Sequence, residues 1–192
     1  FNGLKDPVRR LPVGDFAAQI AQLAELTRVA DETGVSLSMI DTLPLWQIAM
    51  VLQATQAQRL GLRGDYGIDY QLLNVARARR MPIIELEGTD SQIALLRQLP
   101  DDGLMLLDDT LTHWHTNARL LQTMIGWWLD APPADGRLAL PSTFSESLYD
   151  VLMNARNKAW RETLHALPAG EYVVAVGALH LYGEGNLPSL LK

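Results

Sequence analysis

The sequence predicts a helix-rich α/β fold in one domain over residues 1–192. Two apolar runs and the spacing around them carry that expectation. Tyr172-Val173-Val174-Ala175-Val176 is β-branched and aromatic, and reads as a strand covered on both faces. Pro82-Ile83-Ile84-Glu85-Leu86 reads as a second, shorter strand. Elsewhere apolar residues recur every three or four positions, the period of amphipathic helices.

In chain order, Asp15 is a plausible N-cap for a helix carrying Phe16, Ile20, Leu23, Leu26 and Val29, with Gly34 at its end. After a short segment from Ser36 to Asp41, Pro44 opens a helix to about Leu60. Leu45, Trp46, Ile48, Ala49 and Leu52 make it a core helix. Arg63 to Gly67 is a turn, and Ile68 or Asp69 starts a helix expected to bury Leu72, Leu73, Val75 and Ala76. The second-strand run follows. Asp90 to Leu99 is helical and stopped by Pro100, and Gly103 to Asp130 is helical again. Ala131 to Gly136 is a loop. A helix from about Phe144 to Ala166 leads through Pro168-Ala169-Gly170 into the first-named strand, and Asn186-Leu187-Pro188 starts a last short helix.

Composition excludes several function classes. The net charge is −6 and the one basic cluster, Arg77, Arg79 and Arg80, sits at a helix end where cations suit the macrodipole, which argues against a nucleic-acid surface. There are no cysteines, so disulfides and thiolate chemistry are absent. No apolar run approaches the roughly 18 residues of a membrane span. The chain opens on Phe1-Asn2-Gly3, and the expectation is that a native start has been removed. That leaves the compartment, cytoplasmic or periplasmic, undecided.

Both strands end on a group that could do chemistry. Gly177 lets the backbone turn or approach a ligand, and His180 follows three residues later, at the edge where open α/β sheets bind ligands. A structural histidine bonded to a neighbouring loop fits the spacing equally well. Glu87 ends the second strand, either as a site group or as a helix cap. Arg156 and Trp160 share a helix face beside Asn157, so Arg156 needs a carboxylate partner or a ligand. Asp69 reads as a capping carboxylate or a catalytic one, and Trp46 as core or as a pocket floor. His113 and His115, two apart on a helix, face different sides and cannot share a metal there.

Five blocks in order carry a resemblance: Pro44-Leu45-Trp46; Gly67-Ile68-Asp69-Tyr70-Gln71-Leu72; Pro82-Ile83-Ile84-Glu85-Leu86-Glu87 with Gln92; Arg156-Asn157-Lys158-Ala159-Trp160; and Val174-Ala175-Val176-Gly177-Ala178-Leu179-His180-Leu181 with Gly183. With them the chain resembles the TraB/GumN family, whose relatives include the Tiki metalloproteases. The resemblance implies a core like that of the erythromycin esterase and ChaN-like proteins, a central sheet flanked by helices, here lacking N-terminal strands. It implies a site built from two Gly-x-x-His motifs, a glutamate and an arginine. Gly177 to His180 resembles the second such motif and Arg156 the family arginine.

The resemblance further implies His180, Arg156 and Glu87 as catalytic residues, with Asp69, Trp46, Asn157 and Gly177 toward substrate. No other glycine in the chain has a histidine three residues on. The first motif and the site glutamate that follows it would then precede Phe1. The expected activity is that of a hydrolase, plausibly a metal-dependent peptidase when full length, with His180 as one ligand of a divalent metal and a small-molecule or peptide substrate. This chain alone is expected to be inactive and to hold no metal tightly. Its open strand edges would be covered by a second copy or a retained N-terminal peptide. The alternatives are a non-catalytic binding or regulatory protein on the same fold, and a haem- or iron-binding protein of the ChaN-like kind.

Overall fold

A computed structural model of the chain describes residues 22–131 and 142–192. The expectations placed on Asp15, Phe16 and Ile20, and most of the loop from Ala131 to Gly136, lie outside those residues. The described chain is helical: α1 Leu23–Thr33, α2 Leu37–Ile40, α3 Leu45–Arg59, α4 Ile68–Ala78, α5 Thr89–Arg97, α6 Leu104–Thr112, α7 Trp114–Asp130, α8 Glu146–Tyr149, α9 Ala155–His165 and α10 Leu187–Leu190.

The expected central sheet is absent, because the described residues contain no strand and no ladder. A strand is stable only when a second strand takes its N–H and C=O groups. Neither apolar run has one among the described residues. Among the described residues Ile83–Leu86 and Val173–Val176 make no hydrogen bond, and every residue of 81–85 and 171–175 is exposed. Val173 reaches 83% and Ile84 52%, so the apolar pattern there marks surface rather than the interior of a sheet.

The core forms where helices bury one another. Leu26 and Val29 of α1, Leu45, Trp46, Ile48 and Leu52 of α3, and Leu106, Leu107 and Leu111 of α6 pack into one cluster, which Trp114, Leu148, Leu152 and Met153 extend toward the C-terminal helices. Gly34 ends α1 in the left-handed conformation, at φ 72°, and its N–H reaches back to the last carbonyls. Asp102 Oδ2 accepts from the Leu45 N–H at 3.1 Å, giving the first turn of α3 a cap that Pro44 does not supply. Gln56, buried on α3, donates to the Trp114 carbonyl at 2.9 Å and accepts from Asn117 at 2.6 Å, so its burial leaves neither end of the amide unmet.

Two helical expectations change in detail. The long stretch from Gly103 breaks at His113, whose φ of −101° and ψ of 20° separate α6 from α7. And α4 buries none of its residues. Ile68, Tyr70, Leu72 and Val75 are all exposed, and nothing among the described residues packs over them deeply enough to bury them.

The segment that positions the site runs from α8 into α9 through one π-helical stretch, Asp150–Asn154. A π turn inserts one residue into the helical register and rotates everything after it. Leu152 and Met153 within that stretch stay in the core, and Asn157 and Trp160, which follow it on α9, are buried as well. There α9 meets α10, where Asn186 Oδ1 accepts from the Ser189 N–H at 2.9 Å as an N-cap.

Candidate functional site

The site assembles on α9. Arg156 and Trp160, one turn apart, stack: the guanidinium carbon lies 4.9 Å from the Trp160 ring centroid. The His180 ring packs on the same indole, with centroids 4.5 Å apart. His180 arrives on a short 3₁₀ turn, Ala178–His180, closed by its N–H on the Gly177 carbonyl at 2.9 Å. Gly177 itself has φ −56° and ψ 141°, a conformation open to any residue, and an added Cβ would meet only His180 Cδ2, at 3.6 Å.

Asn157, 2% exposed, is the group that orients the histidine. Its Nδ2 donates to the Gly185 carbonyl at 3.0 Å, which sets the amide with Oδ1 toward His180. That oxygen can only accept, so the 2.6 Å contact is a hydrogen bond donated by His180 Nδ1–H. The neutral ring therefore keeps its lone pair on Nε2. Burial pushes the His180 imidazole down to about 4, the neighbouring Arg156 charge pushes the same way, and Glu87 opposes them. At neutral pH the ring is uncharged.

Arg156 is held at three points. Its Nε donates to Glu87 Oε2 at 3.0 Å, its Nη1 donates to the Leu152 carbonyl at 3.1 Å, and its plane lies on Trp160. Among the described residues no group accepts from Nη2. Glu87 is mostly buried, and its second oxygen, Oε1, has no hydrogen-bond partner. A buried carboxylate oxygen without a donor is uncommon and marks a place where a donor is accommodated.

His180, Arg156, Glu87, Asn157 and Gly177 thus come together from three separated stretches. Trp46 and Asp69 do not join them. Trp46 is 2% exposed in the helical core, packed so closely on Gly103 that a Cβ there would lie 2.5 Å from its own. Asp69 is exposed in the first turn of α4 and takes part in none of the hydrogen bonds of this cluster.

A divalent ion in a catalytic site of the zinc type takes three protein ligands. Here the free donors are His180 Nε2 and Glu87 Oε1, and no group of three His, Cys, Asp or Glu side chains with ligand geometry occurs among the described residues. These residues do not make a complete metal centre.

Beside the cluster lies an open cavity of about 720 Å³. Tyr149, Asp150, Asn154 and Lys158 line one side and the Tyr182–Gly185 turn the other, while His180, Arg156 and Glu87 do not reach it. Sequence reasoning named Lys158 and Gly183 only within the family blocks and gave none of these residues a site role. The available signal was the four-residue spacing of Asp150, Asn154 and Lys158 opposite two glycines, Gly183 at φ 81° and Gly185 at φ 70°.

No helix among the described residues is long and apolar enough to cross a membrane. Two curated relatives, both called uncharacterized protein YbaP, from Escherichia coli strain K12 and Shigella flexneri, are each 67% identical over 171 residues. Those residues are 89% of this chain and 65% of each relative, so the chain spans a little under two thirds of their length. No solved structure matches. The model of the TraB/PrgY/gumN family matches residues 18–192, which takes in every residue of the cluster, and the chain belongs to that family.

Proposed function

We propose that the complete protein is a hydrolase in which His180 acts as general base on water and Arg156 stabilises the oxyanion that forms. One observation carries the reading: a buried, neutral histidine whose Nδ1–H is tied to Asn157 and whose Nε2 is free, beside an arginine with one unused nitrogen. Water gives its proton to Nε2 as its oxygen attacks the carbonyl carbon of a peptide or small ester. The negative charge that gathers on the carbonyl oxygen is met by Arg156 Nη2. Nε2–H then returns the proton to the leaving nitrogen or oxygen as the carbonyl re-forms. Glu87 Oε2 keeps Arg156 in place, and Oε1 accepts a hydrogen bond from the substrate or from the water.

The 192-residue chain carries this half of the machinery and is expected to show no turnover alone. The test is cleavage of peptide and ester panels by full-length Escherichia coli YbaP and by this chain. Activity in the full-length protein that disappears when the histidine matching His180 is replaced by alanine supports the reading. Full-length protein that cleaves nothing counts against it, and hydrolysis by the short chain that disappears in His180→Ala would overturn the expectation that this chain is inactive alone.

A second reading, ligand binding without chemistry, is favoured by the cavity at Tyr149 and Lys158, because the cluster does not line it. It separates from the first by substitution. Thermal stabilisation by a small-molecule ligand that is lost in Lys158→Ala and kept in His180→Ala belongs to binding alone.

A further inference from the structure

The cavity beside the cluster is walled by rings as well as by charge. Phe144, Tyr149 and Tyr182 all line it, and all three are half-buried. Phe144 and Tyr149 pack against the helical core, and Tyr182 is held by Trp127, with ring centroids 5.7 Å apart and an interplanar angle of 58°. Rings fixed in this way present aromatic surface that does not have to be ordered when a ligand arrives. The turn opposite keeps the space open. A Cβ on Gly183 would lie 3.8 Å from the Tyr149 hydroxyl, and one on Gly185 would lie 3.2 Å from Asn154 Oδ1, so a side chain at either position would grow toward the facing wall.

The charge on these walls is graded. Glu146, Asp150, Asn154 and Lys158 follow one another at four-residue intervals, and all of them line the cavity. The row therefore runs from two carboxylates through an amide to one ammonium, with Asp150 and Lys158 roughly 12 Å apart at helical rise. Glu184 on the opposite turn adds a third carboxylate, and Lys158 is the one cation among the described residues of the lining. Such walls attract a positive group at one end and a negative group at the other. The positive group is not a bare metal ion, because no set of three acidic or imidazole ligands with the right geometry occurs among the described residues. Three aromatic rings beside carboxylates suit a large, weakly hydrated organic cation, whose alkyl groups rest on the ring faces while its charge is drawn by their quadrupoles.

We propose that this cavity, on the binding reading given above, holds a small zwitterion that joins an alkylated ammonium group to a carboxylate or phosphate. The rings of Phe144, Tyr149 and Tyr182 receive the ammonium, with Glu146, Asp150 and Glu184 around it, and Lys158 pairs with the acid group. A volume of about 720 Å³ lies within the roughly 300–1,000 Å³ of small-molecule sites, so a ligand with its two charges several bonds apart fits. Binding here is independent of the chemistry at His180, since that ring does not line the cavity.

The experiment titrates the 192-residue chain in a calorimeter with three probes. These are γ-butyrobetaine, its analogue with a tert-butyl group in place of trimethylammonium, and choline, which lacks the acid. γ-Butyrobetaine should bind, and the tert-butyl analogue should bind at least about tenfold more weakly. Lys158→Ala should weaken γ-butyrobetaine by about threefold, the effect of an exposed ion pair, and leave choline unchanged. Tyr182→Leu should weaken both ammonium probes while Tyr182→Phe, which keeps the ring, restores them. Should Tyr182→Leu lose its helical circular dichroism, exposed Glu184→Gln replaces it, with an expected loss of about threefold. His180→Ala should leave every affinity as it was. The proposal is overturned by equal binding of the tert-butyl analogue, by no binding of γ-butyrobetaine, or by indifference to both Tyr182→Leu and Glu184→Gln. Cosedimentation with phosphatidylcholine vesicles in the absence of binding to the free probes would likewise overturn it, by assigning the cavity to a lipid headgroup. Binding of the tert-butyl analogue that Lys158→Ala abolishes would refute the cation while leaving the cavity a ligand site, so the two failures are told apart.

Discussion

Asn157 accepts the Nδ1–H of His180 at 2.6 Å while its own Nδ2 donates to the Gly185 carbonyl at 3.0 Å. One amide thereby fixes the tautomer of the histidine and ties it to the turn that follows. Asparagine suits this position because it offers one acceptor and one donor at fixed separation, and carries no charge to draw a second proton onto the ring.

Replacing it tests both functions. Asn157→Ala leaves a buried N–H and a carbonyl without partners and should cost about 1–3 kcal/mol of stability in urea unfolding. Asn157→Asp keeps an acceptor but adds a negative charge beside Nδ1. The pKa of His180, followed by its imidazole NMR signals, should then rise from about 4 toward or above its ordinary value. An unchanged titration would show that Asn157 does not set the state of the ring.

Arg156 and Glu87 should behave as a pair. Arg156→Met leaves the Glu87 carboxylate mostly buried without its cation, and should destabilise the fold by roughly 2 kcal/mol, below the range for fully buried pairs because both side chains keep some contact with water. Adding Glu87→Gln to that variant should recover most of the loss. A double-mutant cycle in denaturant measures the coupling, and additive costs would mean that the 3.0 Å contact contributes nothing.

The depressed pKa of His180 predicts a pH dependence of known sign. The folded state holds the ring neutral down to about 4, whereas the unfolded chain takes up a proton near 6.5. Between those values the unfolded state binds more protons, so stability falls as pH is lowered through that window and the contribution is fully present above it. His180→Gln should flatten the stability profile between pH 6.5 and 4 without altering its shape above neutrality. Chemical denaturation at intervals across that range is the measurement.

Two glycines should differ sharply in their tolerance of alanine. At Gly103, φ is 81° and a Cβ would sit 2.5 Å from Trp46 Cβ and 3.0 Å from its backbone, so Gly103→Ala should cost about 3 kcal/mol or more and lower the thermal midpoint accordingly. At Gly177 the backbone is ordinary and the nearest atom is 3.6 Å away. Gly177→Ala should stay within about 0.5 kcal/mol of the parent. A large loss there would mean that the glycine serves something other than the fold of this chain.

What the sequence determined by itself was the helices and the pieces of the site that lie within one turn of each other. A helix closes its hydrogen bonds four residues away, so Gly34, Pro44 and Asn186 mark ends that the structure keeps, and Arg156 meets Trp160 because four residues is one turn. Tertiary structure decided the rest. Strands at Pro82 and Tyr172 were read from side chains alone, but a strand exists only through a partner, and none is present among the described residues. The same limit applies to single residues. Nothing local distinguishes Trp46, enclosed by the core, from Trp160, which carries both Arg156 and His180. Nor does spacing reveal that Glu87 and Arg156, 69 positions apart, share a bond. Packing brings such groups together, and hydrogen-bond geometry then assigns their protons.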